Sequence, residues 1–590
     1  MALRAGYLAL TRNVSLLGQH RVKFKDLLKS IFMFRFDWLV DSHEHTGKLF
    51  ESYQKLLLNL LSSNSCFVPP VCRTLVMALT LKEEIEEETT TSKKKKKSKK
   101  KKEQNEKSNE RVCEQVRNTI VHMIKVAPSS QKSLQHALRE CFPHATKSVE
   151  SISYYITNLL RLSDSIPLMR EFVFCLIVEK IIKIDVMVSR FDTEEEEEEE
   201  DEKKEEEETS NDAEKLDRIM CLVFEFLKRE MTKKTPKQDK DEEDKNEEEE
   251  TTRSRGWSEV SDMSDRDTTT TKDDDCKDMF MTALRAFRTT VIHTHQSTCI
   301  QFIVFYAAQF DESLPSTFVG LLLDALANES LSEALRMTCV CYCASFVSRA
   351  KYIELGTVRA ALSFLAFWLR DYIEKRTNDT DYENNSTDEK KEEESITTSG
   401  LYVTRRDHVQ KNEHNIFYCS LQALLYTLCF KTKSILSEPD GIAFLQDLNL
   451  TAILSCSLNP LSRCLRDVAL EFQSLAVHVG WSSTLVEFLK HVVLTTESKN
   501  EEDEEKDEEK KSIAFDEFFP FDPYLLPKSG EMYVTQGIYN KWDESAIKVD
   551  DDEEEEEEEE NAEEGVVDKE EQEREHERYR QRLLRVGLGT

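Results

Sequence analysis

Glycine and proline are scarce, 14 and 12 of 590 residues, well under half of the roughly 12% share the two usually hold together. A fold rich in tight turns or in glycine phosphate loops is excluded on that count, and a helical chain is expected. The glycines supply no G-x-G-x-x-G and no G-x-x-x-x-G-K-[ST]; G-x-S-x-G and H-E-x-x-H are missing as well. No uninterrupted run of 18 or more apolar residues occurs. The longest candidate, 172–188, is broken by Glu179, Lys180, Lys183 and Asp185, so no membrane span is expected. The 15 cysteines include no C-x-x-C pair. Cys339, Cys341 and Cys343 are spaced i, i+2, i+4, which on a helix turns the middle thiol to another face. Zinc spacing is not met, and reduced thiols without metal or cofactor are expected.

What is abundant is charge, with 114 Asp and Glu against 80 Lys and Arg, a formal net charge of −34. Four stretches, 194–208, 239–250, 501–509 and 550–560, hold 41 of those acids and only five lysines. The remainder is near neutral. Like-charge runs repel themselves and bury little apolar surface, so these stretches read as solvated insertions. One basic run opposes them: Lys93, Lys94, Lys95, Lys96, Lys97, Lys99, Lys100, Lys101 and Lys102. It reads first as a nuclear import or nucleolar retention signal, with a solubilising loop and a nucleic-acid contact as alternatives. Strong autonomous DNA binding would need a basic face on the folded body and is not expected. Residues 1–25 carry no acid and faintly resemble a mitochondrial transit peptide, against the tenor of the rest.

Between the charged tracts the periodicity is helical. Tyr53, Leu56, Leu57, Leu60 and Leu61 fall at i, i+3, i+4, i+7 and i+8, one apolar stripe. The helix, turn, helix rhythm recurs at 109–127 with 131–141 and at 148–162 with 166–188. It returns at 214–231, 277–291, 296–310, 315–328, 331–350, 355–376, 414–431 and 461–493. Pairs of about 40 residues that cannot bury their own faces predict an all-α, HEAT- or armadillo-like α-solenoid with long disordered charged insertions. The expected organisation is a poorly defined segment 1–45, then a solenoid 46–494 interrupted at 82–108, 191–212, 232–275 and 377–412. An acidic linker 495–513, an aromatic and proline docking segment 514–545 and a charged tail 546–590 follow.

Several segments together carry a resemblance. The segment 342–353, Tyr-Cys-Ala-Ser-Phe-Val-Ser-Arg-Ala-Lys-Tyr-Ile, is similar to a signature of the RNA polymerase I-specific initiation factor family. In the same order, 301–306 (Gln-Phe-Ile-Val-Phe-Tyr), 417–430, 458–461 (Leu-Asn-Pro-Leu) and 518–527 (Phe-Phe-Pro-Phe-Asp-Pro-Tyr-Leu-Leu-Pro) resemble it too. The stretch 154–184, with Leu159-Leu160-Arg161 and Ile177-Val178-Glu179-Lys180, is similar to its amino-terminal half. The likeness covers about 50–545. Where the family places an arginine before the 301–306 segment, this chain has Thr298 or Cys299.

The resemblance implies a HEAT-repeat adaptor that is no enzyme, binds RNA polymerase I and the promoter-bound core factor, and is regulated by phosphorylation in the nucleus and nucleolus. A homodimer of the free protein is compatible with it. A HEAT-type transport receptor or generic scaffold is the alternative. Ser148, Ser151 and Ser153 lie in the half that the resemblance assigns to polymerase docking, with N-cap duty as the plainer role for one of them. Ser345 and Arg349, at i, i+4, read as the wet face of a helix whose packed side holds Phe346 and Ala350, and with Lys351 they are partner-contact candidates. Ser258, Ser261 and Ser264, among acids, and Ser189 are phosphorylation candidates. Phe518, Phe519, Pro520, Phe521, Asp522, Pro523 and Tyr524 must dock, since three prolines forbid a continuous helix while the aromatics shun water. Either they cap the solenoid around 461–493, or they enter a partner groove with Tyr539 and Trp542 as further anchors.

Overall fold

The computed structural model describes residues 2–33, 44–80, 92–194, 202–233, 272–294, 297–386, 414–479, 519–521, 523–534 and 537–541. Among them the secondary structure is helical, with one isolated β-bridge and no strand. No helix among the described residues is long and apolar enough to cross a membrane. The chain divides into two compact units, Met1–Ile184 with Ser210–Phe226, and Asp185–Thr209 with Leu227–Thr590.

In unit 1 the helices are α1 (Ala2–Arg12), α2 (Val14–Gln19), α3 (Lys25–Phe32), α4 (Glu44–Ser63), α5 (Val68–Met77), α6 (Ser92–Val126), α7 (Gln131–Glu140) and α8 (Val149–Ser165). The stripe read on 53–61 is the buried face of α4. Pro69 and Pro70 stand in the first turn of α5, where a missing N–H costs nothing. Pro128 and Pro167 open short 3-10 turns between helices. Residues 2–33 correct the expectation of a poorly defined amino terminus. They form three helices, and α1 packs on α4 with the Tyr7 and Tyr53 rings 5.3 Å apart. Tyr53 OH donates to Ile31 O at 2.8 Å, a bond that periodicity within 1–45 does not reveal.

Helices α9 (Arg170–Glu194) and α10 (Glu202–Met231) contribute to both units. Unit 2 continues with α11 (Lys272–Thr289), α12 (Phe302–Ala307), α13 (Ser313–Ala327), α14 (Glu333–Arg349), α15 (Leu355–Ser386), α16 (Asn415–Leu436), α17 (Gly441–Asp447), α18 (Leu450–Leu454) and α19 (Arg466–His478). Each helix packs on others within three places along the chain: α13 on α14 and α15, α14 on α16, α15 on α16 and α18, α16 on α19. That succession is an α-solenoid of the HEAT or armadillo kind. Gly441 is fixed by space, since a Cβ there would meet Ile435 O at 2.1 Å where α17 leaves α16.

The charged insertions are shorter than their composition suggests. Helix α6 already begins at Ser92, just before the lysine run, α10 at Glu202 and α11 at Lys272, while α9 reaches Glu194 and α15 reaches Ser386. Lys and Glu are good helix formers, so backbone bonding runs on past the last buried residue.

The interior of unit 2 is aromatic. Phe287 meets Phe318 and Tyr342 edge-on at 5.3 and 4.8 Å, and Phe346 meets Phe318 and Phe305 at 4.9 and 5.6 Å, geometries worth about 0.5–1.5 kcal/mol per pair beyond area. From Cys339 to Arg349 every residue of α14 except Cys341 is buried. Helix α14 is therefore a core helix, covered all round.

Candidate partner-docking site

The aromatic and proline segment is seated in unit 2. Pro520 and Phe521 are buried, and Phe521 has no exposed surface. Its ring lies 5.3 Å from Phe302, 5.2 Å from Phe305, 5.7 Å from Tyr342 and 6.0 Å from Phe346. Phe519 stacks on Tyr426 at 4.3 Å, and Tyr524 meets Phe302 edge-on at 4.6 Å. Because a proline-rich strap cannot bond to itself as a helix does, its backbone must find partners in the body. Gln301 Nε2 donates to Pro520 O at 2.6 Å, the Phe521 N–H donates to Ser345 Oγ at 3.0 Å, and Tyr539 OH donates to Phe521 O at 2.8 Å.

Further along, Gly537 turns the strap at φ 87°, a conformation that glycine adopts without cost. The strap then bridges the end of α14: the Lys351 N–H donates to Ile538 O at 2.9 Å and the Asn540 N–H to Arg349 O at 2.6 Å. Arg349 donates through a guanidinium nitrogen to Asn540 O at 3.1 Å, and its Cζ lies 4.5 Å from the centre of the Phe430 ring and 5.5 Å from that of Tyr539. Beside it Lys431 Nζ donates to Ala350 O at 3.1 Å. Burial pushes the Lys431 pKa down to about 8, since an ammonium loses its hydration there.

Two expectations are corrected. The strap's aromatic partners are on α12, α14 and α16, not around 461–493; of that stretch the residues from 480 on lie outside the described ones. The groove is there because α12 and α14 present Phe302, Phe305, Tyr342 and Phe346 to one side, where the Phe521 ring covers them. Ser345 and Arg349 are not a wet face, with exposures of 0% and 5%. Both sit beneath the strap, and the face that a helical wheel leaves to solvent is the one the strap covers. Lys351 alone of that trio is exposed.

In unit 1 the three serines part company. Ser148 is exposed and caps α8, its Oγ accepting from the Ser151 N–H at 3.3 Å. Ser151 and Ser153 are buried, with exposures of 5% and 6%, because α8 is covered on most of its circumference, with residues 151–153, 155, 156 and 158–160 all inside. Neither presents a hydroxyl to a partner in this fold. The edge beside Ser148 carries Glu150, paired with Arg218 at 3.3 Å.

Sequence reasoning did not pick out Asp185. It is fully buried in α9 and its carboxylate accepts from the Thr298 hydroxyl at 3.0 Å and from the N–H groups of Thr298, Cys299 and Ile300 at 3.0–3.2 Å. Burial raises its pKa against the pull of those donors. The signal was legible as an acid inside an apolar helix, 172–188. Thr298 and Cys299, one of which stands where the resemblance puts an arginine, are both donors to Asp185. Gln301, Lys431 and Asn540 were likewise passed over, being single polar residues in or beside apolar stretches.

Phe518, Asp522, Trp542, Ser258, Ser261 and Ser264 lie outside the described residues, as do the side chains of Ser189 and of the lysine run from Lys93 to Lys102. Among the described residues no three His, Cys, Asp or Glu side chains converge as a metal would require.

A family model described as RNA polymerase I specific transcription initiation factor RRN3 matches residues 2–547. The RNA polymerase I-specific transcription initiation factor RRN3 of Mus musculus is 24% identical over 556 residues, covering 89% of this chain and 73% of that protein. The factor rrn3 of Schizosaccharomyces pombe is 23% identical over 442 residues, covering 73% and 67%. In structure, the chain resembles the crystal structure of RNA polymerase I transcription initiation factor Rrn3, with a TM-score of 0.59, 20% identity and coverage of 92% and 89%. At that identity the likeness speaks for the fold.

Proposed function

The chain belongs to the RNA polymerase I specific transcription initiation factor RRN3 family, and on that premise we propose that it serves RNA polymerase I as a non-catalytic adaptor. It binds the polymerase, bridges it to the promoter-bound core factor at ribosomal RNA genes in the nucleolus, and is controlled by phosphorylation. The observation that carries this reading is the reach of the family match, 2–547, which takes in both units and the strap. The nuclear setting follows from the family's role in transcription. A succession of helix pairs favours bridging, since each pair offers its own surface with little coupling to distant ones.

Of the serine edge, Ser148 is the position from which charge reaches a partner. A phosphate there adds about −1.5 to −2 charge at a helix amino terminus, which the helix dipole accommodates. Charge at Ser148 therefore acts on the docked partner while leaving α8 intact. Lys351, exposed beside the strap, is the second proposed contact, and Ser189, Ser258, Ser261 and Ser264 remain the proposed modification sites. Co-elution of the purified chain with purified RNA polymerase I tests the reading, with Ser148→Asp and Lys351→Glu run in parallel. Wild-type co-elution that weakens in the variants is expected. Failure of the wild-type chain to bind ends the adaptor reading; unchanged variants end only the assignment of these two residues.

A further inference from the structure

Alternation along one helix is what denies the three cysteines of α14 a shared ligand, because Cys341 faces away from Cys339 and Cys343. The side it faces belongs to α16, the helix packed against α14. There Cys341 Sγ lies 3.5 Å from Cys419 Sγ. Cys419 is buried, whereas Cys341 alone in the stretch from Cys339 to Arg349 keeps some exposure. Two thiols from separate helices thus meet, one on a partly exposed residue and the other on a buried one.

We propose that Cys341 and Cys419 form a reversible oxidation site, which oxidants of the hydroperoxide class convert to a disulfide joining α14 to α16. In the first step the Cys341 thiolate attacks one peroxide oxygen: an S–O bond forms, the O–O bond breaks, and the leaving hydroxide takes up a proton to become water. Cys341 is then a sulfenic acid. In the second step the Cys419 sulfur attacks the Cys341 sulfur: the S–S bond forms, the S–O bond breaks, and the hydroxyl departs as water with the Cys419 proton. The two thiols together give up two electrons, and one hydrogen peroxide becomes two waters.

Geometry orders these steps. The contact with Cys341 and burial hold Cys419 as a thiol by pushing its pKa well up, so Cys341, on the less buried residue, reacts first and Cys419 gives up its proton only as it resolves the sulfenic acid. Closing 3.5 Å to the roughly 2.05 Å of a disulfide is a movement of the two side chains toward each other. The staple acts on the helix that seats the strap through Tyr342, Ser345 and Arg349. In a reducing compartment the pair stays open until oxidant rises.

Treatment of the full chain with hydrogen peroxide, alkylation of the remaining thiols and peptide mapping tests this on the unaltered protein. Cys341 and Cys419 are expected to lose alkylation together, in a cross-linked peptide lighter by two hydrogens that dithiothreitol restores. Cys66, half-exposed in unit 1, is the internal reference and should oxidise without joining that product. In Cys419→Ser, Cys341 should stop at the sulfenic state and be trapped by dimedone. Accumulation of Cys341 as sulfinic acid in the wild-type chain overturns the proposal, as does continued alkylation of both thiols under conditions that oxidise Cys66. A cross-link from Cys341 to some other cysteine overturns it as well.

Discussion

Replacing Phe521 by alanine removes the ring on which the strap turns. The side chain is fully buried among Phe302, Phe305, Tyr342 and Phe346. Truncating a ring in such a place costs about 3–5 kcal/mol, transfer and cavity together. The backbone bonds to Ser345 and Tyr539 remain available to the variant, so the loss is a packing loss. At about 2–4 °C per kcal/mol for a body of 150–250 residues, the thermal midpoint of the isolated protein should fall by roughly 6–20 °C. Phe519→Ala should cost much less, since Phe519 is half-buried and mainly loses its stack on Tyr426. Thermal unfolding of the two variants beside the wild type is the assay, with hydrogen exchange over α12 and α14 as its local counterpart. A Phe521→Ala midpoint within about a degree of wild type would refute the reasoning. An unshifted midpoint with lost polymerase binding would move the aromatic residues from the chain's own groove to a partner's.

Arg349→Glu should lower the thermal midpoint sharply, because it puts an acid under the strap in place of a cation held between Phe430, Tyr539 and Asn540 O; an unchanged midpoint would return Arg349 to the list of partner contacts. For Lys431 the folded pKa, about 8, lies below the ordinary lysine value, so the folded state is penalised while the group is charged and gains stability as pH rises from about 8 through the unfolded value. The difference in stability between wild type and Lys431→Met, followed by denaturant titration across that window, should move in favour of wild type as pH increases, and a flat difference refutes the placement. Ser148→Asp should leave stability nearly unchanged, since Asp caps a helix as well as Ser does. Ser153→Asp should destabilise by a few kcal/mol through an unpaired buried carboxylate; equal midpoints for the two would show that Ser153 is not buried.

Helix positions were legible wherever a helix has one wet and one packed side. The stripe of α4 and the boundaries of α7, α8, α13 and α15 at their folded ends follow from spacing, proline and caps. Helix α14 was legible as a helix and misread as to its faces. A 3.6-residue period reports what local sequence can bury, and Ser345 and Arg349 are covered by residues 521 and 540, out of reach of any window. The same distance hid the groove. That the aromatic segment must leave water follows from its composition, but its seat on Phe302, Phe305, Tyr342 and Phe346 requires knowing which rings face outward once the helices have stacked. Asp185 is the converse case, a conspicuous residue whose partners, 298–300, lie more than a hundred positions on.

The strap is also the last of its structural set to be made. A ribosome that has released α12 must add more than two hundred residues before Pro520 can meet Gln301 and Phe521 can meet Ser345, contacts that span 219 and 176 positions. At about 5–20 residues per second that interval is roughly 10–40 s. Throughout it the nascent chain carries uncovered rings on α12 and α14, and loop closure over such a span comes late in folding. Chaperone demand during synthesis should therefore concentrate on unit 2, and a message cut short before the strap codons should yield a polypeptide prone to clump through those rings.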